Sequence, residues 1–321
     1  DALFGMCEVI EGDVTEPLPR IKGIDRIIHC AALLSFDERE RGQILKVNHE
    51  GTKNMLDFAL RSNVPEFGYI STAYIFGDKR EKGGKIFEDE FNCDQKFFNS
   101  YEESKFLAEG AVRNKAREIK ISIFRPSIVI GNSLTGLTSS FTGFYTVYRS
   151  LHSIKERETK KTGKSILSLP INFFCNPRSW SNLVPVDWVA NTIFLLTTRD
   201  ESVGKTFHIV NESPPTFKEL TESTLGILGI KDFNFFDVVN PPFVPSRQKD
   251  RLLKAMEDGI RKEWKPYTPY ISLEELFDCW NVKNVLGDSY TPCPSISGDL
   301  LKVILEYARK ENFGRKEIKN A

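Results

Sequence analysis

The sequence predicts an α/β protein built on a doubly wound parallel sheet, and three observations predict it. Strand, helix and strand alternate between residues 24 and 72, the pattern of right-handed parallel crossovers. The strands end in small or polar residues, Gly12-Asp13, Cys30-Ala31-Ala32 and Ser71-Thr72, as strands do where ligands sit outside their carboxyl ends. Tyr101 and Lys105 open the helix that follows Ser71-Thr72, and their spacing of four puts them on one face about a turn apart.

Composition narrows the function classes. At 321 residues the chain can bury a sizeable core, as one large α/β domain or two smaller ones. Lysines and arginines number 44, as do aspartates and glutamates, so no overall field favours nucleic acid or an anionic membrane. No apolar run is long enough for a transmembrane helix, and the start lacks a signal peptide's charged and apolar regions. The six cysteines form no C-x-x-C pair or dense framework, which reads as a reduced, cytoplasmic chain.

In order, residues 7–10 read as a strand leaving the sheet at Gly12-Asp13, so close to Asp1 that a first segment of a larger domain is expected ahead of it. Residues 24–32 are the next strand, with Ile27 and Ile28 as core. Ala31 and Ala32 at its end either let a ligand approach the backbone or relieve crowding under a crossing helix. Ile44, Val47, Met55, Leu56 and Ala59 form a helical stripe, with Asn48 and Gly51 on or near it. An inward asparagine needs partners for its amide, so Asn48 is either a structural bridge or a site residue. Residues 67–72 form a strand, and a polar loop over 78–97 leads to Asn99 or Ser100, either of which can cap a helix over 101–117. Glu102 and Glu103 suit its positive end, and Phe106, Leu107, Ala111 and Val112 supply its buried face. Residues 121–124 make a buried strand closed by Arg125-Pro126, and the chain stays extended to Gly131.

Beyond Gly136 the pattern loosens. Residues 141–151 read as an aromatic helix, and the basic stretch 155–164 as a solvated loop rather than a phosphate site. A helix is expected over 184–196 with Asp187 near its positive end, a strand over 206–210, and a helix over 217–228 capped by Thr216. Pro241, Pro242 and Pro245 punctuate a loop, helices are expected over 248–262 and 297–312, and the charged end from Arg315 frays. His29 and His208 lie inside apolar strands and read as core. Phe141, Phe144, Phe173 and Phe174 suit either an apolar substrate tail or an ordinary core. On residue chemistry alone, the Lys105 ammonium beside the Tyr101 phenol would lower its pKa and make Tyr101 a proton donor near neutral pH.

Six segments together make the chain resemble the extended short-chain dehydrogenase/reductases over residues 7–225. They are Gly12-Asp13, His29-Cys30-Ala31-Ala32, Asn48-His-Glu-Gly51-Thr52-Lys53-Asn54, Ser71-Thr72-Ala73-Tyr74-Ile75-Phe76-Gly77, Tyr101 to Lys105, and Arg125-Pro126-Ser127. Within that superfamily the chain is most similar to thioester reductase domains and fatty acyl-CoA reductases of the male-sterility type. The residues that say so are Ser71-Thr72-Ala73-Tyr74, Phe98-Asn99-Ser100-Tyr101, Arg125 to Gly131 with Thr135-Gly136, and Leu183 to Asp187.

The resemblance implies a Rossmann-type dinucleotide-binding and catalytic domain over 1–180, to which 181–212 return, and a smaller α+β substrate region over 213–321. It implies NADP or NAD as cofactor, with NADPH favoured, and acyl-CoA or an acyl-carrier protein as the substrate partner, reduced to the aldehyde or alcohol. Tyr101 would donate the proton, Lys105 would hold the nicotinamide ribose, Thr72 would hydrogen-bond the same substrate oxygen, and Asn48 would steady the helix or a water chain behind Lys105. Asp13 and Val14 would contact the adenine, Ala31 and Ala32 would line the cofactor path, and Pro126, Ser127 and Ile128 would face the nicotinamide. An NAD-dependent sugar-nucleotide epimerase or dehydratase shares the skeleton and is the alternative. A non-catalytic chain that cannot bind cofactor is the third reading.

One signature is missing. The Gly-x-x-Gly-x-x-Gly turn that cradles a pyrophosphate on a helix amino terminus occurs nowhere in the chain. In strand order 3-2-1-4-5-6 the strand that carries it lies between the strand ending at Asp13 and the one ending at Ala32, so these two are expected to expose unpaired edges. The expected chain is therefore an amino-terminally incomplete Rossmann-type reductase, in preference to a decayed relative, because Thr72, Tyr101 and Lys105 are all present.

Overall fold

Four strands form the sheet that carries the expected site. They are β1 (Arg26–His29), β2 (Glu66–Ile70), β3 (Lys120–Pro126) and β4 (Thr206–Ile209), hydrogen-bonded in that spatial order. β1 pairs β2 in parallel with Ile27 opposite Phe67, and β2 pairs β3 in parallel with Tyr69 opposite Ile123. The computed structural model describes residues 7–78, 84–236 and 251–315. It divides into two compact units, one of 1–79, 91–125 and 197–207, the other of 80–90, 126–196 and 208–321. The proline-rich stretch around 241–245, the start of the helix expected at 248, and the tail beyond Arg315 lie outside the described residues.

In the first unit, the stripe expected over 43–61 is built as α1 (Arg41–Leu45), a π-turn (Lys46–Glu50) and α2 (Gly51–Arg61). The extra residue of a π-turn shifts the helix phase, a distortion common at functional sites. It carries Asn48 to 1% exposure. α3 (Ser100–Asn114) is capped as expected, but its buried face runs through Ser104, Lys105, Ala108, Glu109 and Val112, which turns Leu107, expected in that face, out to 37% exposure and leaves Phe106 and Ala111 half-buried. Leu56, Phe67, Tyr69, Ala108, Val112 and Ile121 pack as the core between helices and sheet.

The strand expected at 7–10 is not formed. Those residues are irregular and exposed, Val9 at 84% and Ile10 at 58%. A strand exists only by pairing its backbone, and the only described strand on either side of β1 is β2. Among the described residues β1 is therefore an edge strand, and Ile28, expected in the core, is instead 41% exposed, because no described strand or helix covers that side of it.

The second unit holds α4 (Phe144–Thr162), α5 (Val186–Thr197), α6 (Phe217–Leu228), α7 (Arg251–Trp264), α8 (Trp280–Leu286) and α9 (Gly298–Lys310). Short parallel strand pairs join them, among them Ile128–Ile130 with Leu183–Pro185 and Asn172–Phe174 with Asn234–Phe236. Thr216 caps α6 in a reciprocal capping box with Glu219. The basic stretch expected as a loop is instead the last turns of α4. Leu151 and Ile154 continue the buried stripe, the Lys155 ammonium donates to the Ser165 carbonyl, and Gly163 closes the helix in the left-handed region. Lysines there also suit the negative end of the helix dipole. Phe173 is 2% exposed and stacks on Trp264 with centroids 5.5 Å apart, and Phe141 and Phe144 pack on the same cluster, so these aromatics are core. The loop expected over 78–97 contributes a short strand, Lys85–Ile86, which pairs with Leu276–Phe277.

Candidate active site

The site is built on the start of α3. Asn99 is its N-cap, with its side-chain oxygen accepting the Glu102 N–H at 3.0 Å, and the Glu38 carboxylate accepts the Ser100 N–H at 2.9 Å and hydroxyl at 2.6 Å. Caps of this kind are worth about 1 kcal/mol each, and here they fix the turn that presents Tyr101. The half-buried Tyr101 ring packs against Phe36, with centroids 6.1 Å apart. One turn on, the Lys105 ammonium is buried, donates to the Ile70 carbonyl and lies 4.4 Å from the Tyr69 ring centroid.

The charge states differ from the sequence expectation. Lys105 was expected to lower the Tyr101 pKa, yet burial, and then the Glu102 carboxylate, push the phenol up to about 12. The reason is geometric: the ammonium is directed to the end of β2. Burial also draws Lys105 down to about 7, against the opposing pull of the Glu109 carboxylate and Cys30. His29 is drawn down to about 4 by burial and by the Lys105 charge. Its Nε2 lies 3.0 Å from the Thr52 hydroxyl, which makes it a satisfied core histidine as expected. His208 is likewise buried, with Nδ1 2.8 Å from the Asp278 carbonyl.

Asn48 resolves as a bridge. Its Oδ1 accepts the Leu33 N–H at 2.7 Å, and its Nδ2 donates to the Leu33 carbonyl at 3.0 Å and the Ser104 hydroxyl at 2.8 Å. Ser104 in turn donates to the Tyr101 carbonyl at 2.7 Å. The amide therefore ties the loop after β1 to the first turn of α3. The residues after it have matching tasks. A Cβ at Gly51 would come within 2.9 Å of the Val14 side chain, and Asn54 Nδ2 donates to the Val14 carbonyl at 2.9 Å. Val14 is held on α2, while Asp13 is exposed and accepts the Thr15 N–H at 2.8 Å, which lowers its pKa. Ala31 and Ala32 are exposed at the end of β1.

Thr72 is 6% exposed, and its hydroxyl oxygen accepts the Tyr74 N–H at 3.3 Å, which turns its own proton away from that amide. Ser71 is tied to β3 by its N–H on the Phe124 carbonyl at 2.7 Å. The structure thus places Asn48, Thr72, Tyr101 and Lys105 in the first unit around the ends of β1 and β2. Pro126, Ser127 and Ile128 belong to the second unit. There Pro126 and Ser127 are buried, Ser127 Oγ has no hydrogen-bond partner, and the Ile128 N–H donates to the Asn182 carbonyl at 3.2 Å.

Sequence reading missed Ser104, Tyr69 and Glu109. Ser104 lies inside the Tyr101–Lys105 motif, and Glu109 follows Lys105 by the same interval of four that links the motif's ends, so spacing could have flagged both. Tyr69 had no such signal, because only strand register brings it under Lys105.

Tyr101 and Lys105 carry donors of the kind that hold a nicotinamide ribose, and the buried Lys105 ammonium lies at the carboxyl end of β2. The chain holds no Gly-rich turn for the pyrophosphate half. No helix among the described residues is long and apolar enough to cross a membrane.

Comparisons with known proteins bear on the family and the fold. The nonribosomal peptide synthetase asaC of Aspergillus flavus is 25% identical over 259 residues, 75% of this chain and 23% of its own length. The chain spans about a fifth of the length of the curated synthetases it matches. The terminal R domain from the myxalamid PKS-NRPS biosynthetic pathway superposes with a TM-score of 0.71 at 22% identity, over 97% of this chain and 77% of its own. UDP-glucuronic acid 4-epimerase from Bacillus cereus, solved with NAD, gives 0.63 at 15% identity over 92% of this chain and 75% of its own. At these identities the two structures show a shared Rossmann-type fold. The family model described as male sterility protein matches residues 7–193, more than half of the chain, and the chain belongs to that NAD-binding family.

Proposed function

We propose that this chain is an NAD(P)H-dependent short-chain dehydrogenase/reductase acting on an acyl thioester, held on coenzyme A or a carrier protein, and releasing the aldehyde or alcohol. The observation that carries this reading is the catalytic turn of α3, where Tyr101 and Lys105 stand one turn apart, backed by the Asn48–Ser104 bridge. A bound dihydronicotinamide would supply hydride to the thioester carbonyl carbon, giving a hemithioacetal that loses thiol. Thr72 donates its hydroxyl proton as a hydrogen bond to the carbonyl oxygen as charge develops there. Tyr101, a phenol that keeps its proton at neutral pH, transfers it to that oxygen. Lys105 supplies the positive charge that offsets the phenolate and holds the ribose hydroxyls. The carrier-bound form of the substrate is supported by the synthetase relatives, and the epimerase alternative by the fold alone.

The test follows NADPH oxidation with acyl-CoA, acyl-carrier and UDP-sugar substrates, using the chain joined behind a Gly-x-x-Gly-x-x-Gly strand–turn–helix segment. Turnover on thioesters that falls roughly 100- to 10,000-fold in Tyr101→Phe, with the fold intact by circular dichroism, is the expected result. Turnover on UDP-sugars alone, or full activity in Tyr101→Phe, would overturn it.

A further inference from the structure

The charge on Lys105 has to be maintained in an apolar interior, since the residue is 3% exposed. The groups around it are His29 and Cys30 from the end of β1, Tyr69 and the Ile70 carbonyl from β2, and Tyr101 and Glu109 on α3 itself. Glu102, at the helix start, instead accepts the Phe98 N–H at 2.9 Å. Glu109 lies four residues beyond Lys105 and is fully buried.

Two guanidiniums clamp that carboxylate. Oε1 accepts Arg125 Nη2 at 2.7 Å and Arg113 Nε at 2.9 Å, and Oε2 accepts Arg125 Nε at 3.1 Å. Arg125 is itself fully buried, with its guanidinium carbon 5.1 Å from the Phe76 ring centroid, and Arg113 also donates to the Thr206 hydroxyl at 2.8 Å. The half-exposed Arg113 would suffice to pair a helix glutamate. A second, wholly buried arginine carries a heavy desolvation cost, which is explained if the carboxylate must stay ionised and immobile beside the active site.

We propose that Glu109 is a positioning residue for Lys105, its carboxylate locked by Arg113 and Arg125 so that the lysine one turn away remains a cation directed at the end of β2. The inference rests on the reading of Lys105 as the catalytic lysine. It deepens that reading by placing the control of the lysine's charge in a buried triad behind it. The direction of the effects agrees: the guanidiniums hold Glu109 below the usual carboxylate range, and Glu109 raises Lys105 against its burial.

The test is a titration that needs no turnover. In the chain carrying isotope-labelled lysine and glutamate, the Lys105 Nζ resonance is assigned by its loss in Lys105→Arg and followed with pH beside the Glu109 Cδ resonance. The Glu109 signal is expected to move at the pH where Lys105 deprotonates. In Glu109→Gln, Lys105 is expected to deprotonate about one pH unit lower, roughly a tenfold loss of ammonium at a given pH; if two orphaned guanidiniums unfold that variant, the same shift is read in Glu109→Gln/Arg125→Met against Arg125→Met, so that the Arg125 charge is absent from both. A Glu109 signal that stays flat through the Lys105 titration, or an unchanged Lys105 titration in a folded variant, would overturn the proposal. Normal coupling in a chain without reductase activity would instead count against the proposed function alone.

Discussion

At the scale of single residues, burial sets the chemistry of this site more than neighbouring charge does. The Tyr101–Lys105 spacing was legible in the sequence, but the pKa argument built on it failed, because desolvation raises the phenol and lowers the ammonium at once. The same effect gives His29 a measurable signature. Its folded pKa of about 4 lies below its unfolded value of 6.5, so the stability it contributes is present above pH 6.5 and lost as pH falls through 4. The loss is expected to reach about 3 kcal/mol. Urea unfolding between those pH values should therefore show a shallower acid decline in His29→Gln than in the parent chain; equal slopes would mean the imidazole is not desolvated.

At the scale of elements, the loop after β2 and the strand–helix junctions of the second unit carry the sharpest constraints. Gly77 has φ of +52°, and a Cβ there would lie 2.1 Å from the Lys96 carbonyl oxygen. Gly77→Ala is expected to lower stability by about 2 kcal/mol or more through backbone strain and displacement of that carbonyl, read as a drop in melting temperature. In the second unit, Glu88 is buried and uses both oxygens on backbone donors, the His208 N–H at 2.8 Å and the Asn281 N–H at 2.6 Å. Glu88→Gln turns an amide donor toward one of them and is expected to cost about 1–3 kcal/mol; a melt unchanged from the parent would show that the junction does not depend on this carboxylate. Neither device was readable beforehand. The angle at Gly77 depends on the approach of Lys96, and Glu88 lies in a polar stretch that reads as a long loop, since 120 residues separate it from the strand it joins.

At the scale of the whole molecule, β1 is the edge of the sheet among the described residues, and no Gly-x-x-Gly-x-x-Gly turn occurs in the given sequence. Fluorescence titration of the chain with NADPH is expected to show no saturation in the micromolar range; saturable micromolar binding would mean that the phosphates find donors other than a Gly-rich turn. By itself the sequence determined the α/β class, the helix that presents Tyr101 and Lys105, and the core role of both histidines, because each follows from local periodicity or capping, and its motifs resemble the family to which the chain belongs. Only the tertiary structure decided that residues 7–10 are not a strand, that Asn48 bridges Leu33 and Ser104, and that Lys105 is directed to Ile70 with Glu109 and Arg125 behind it. Strand pairing, amide partners and desolvation all depend on which distant residues arrive alongside, and that is a property of the packed chain rather than of any stretch of it.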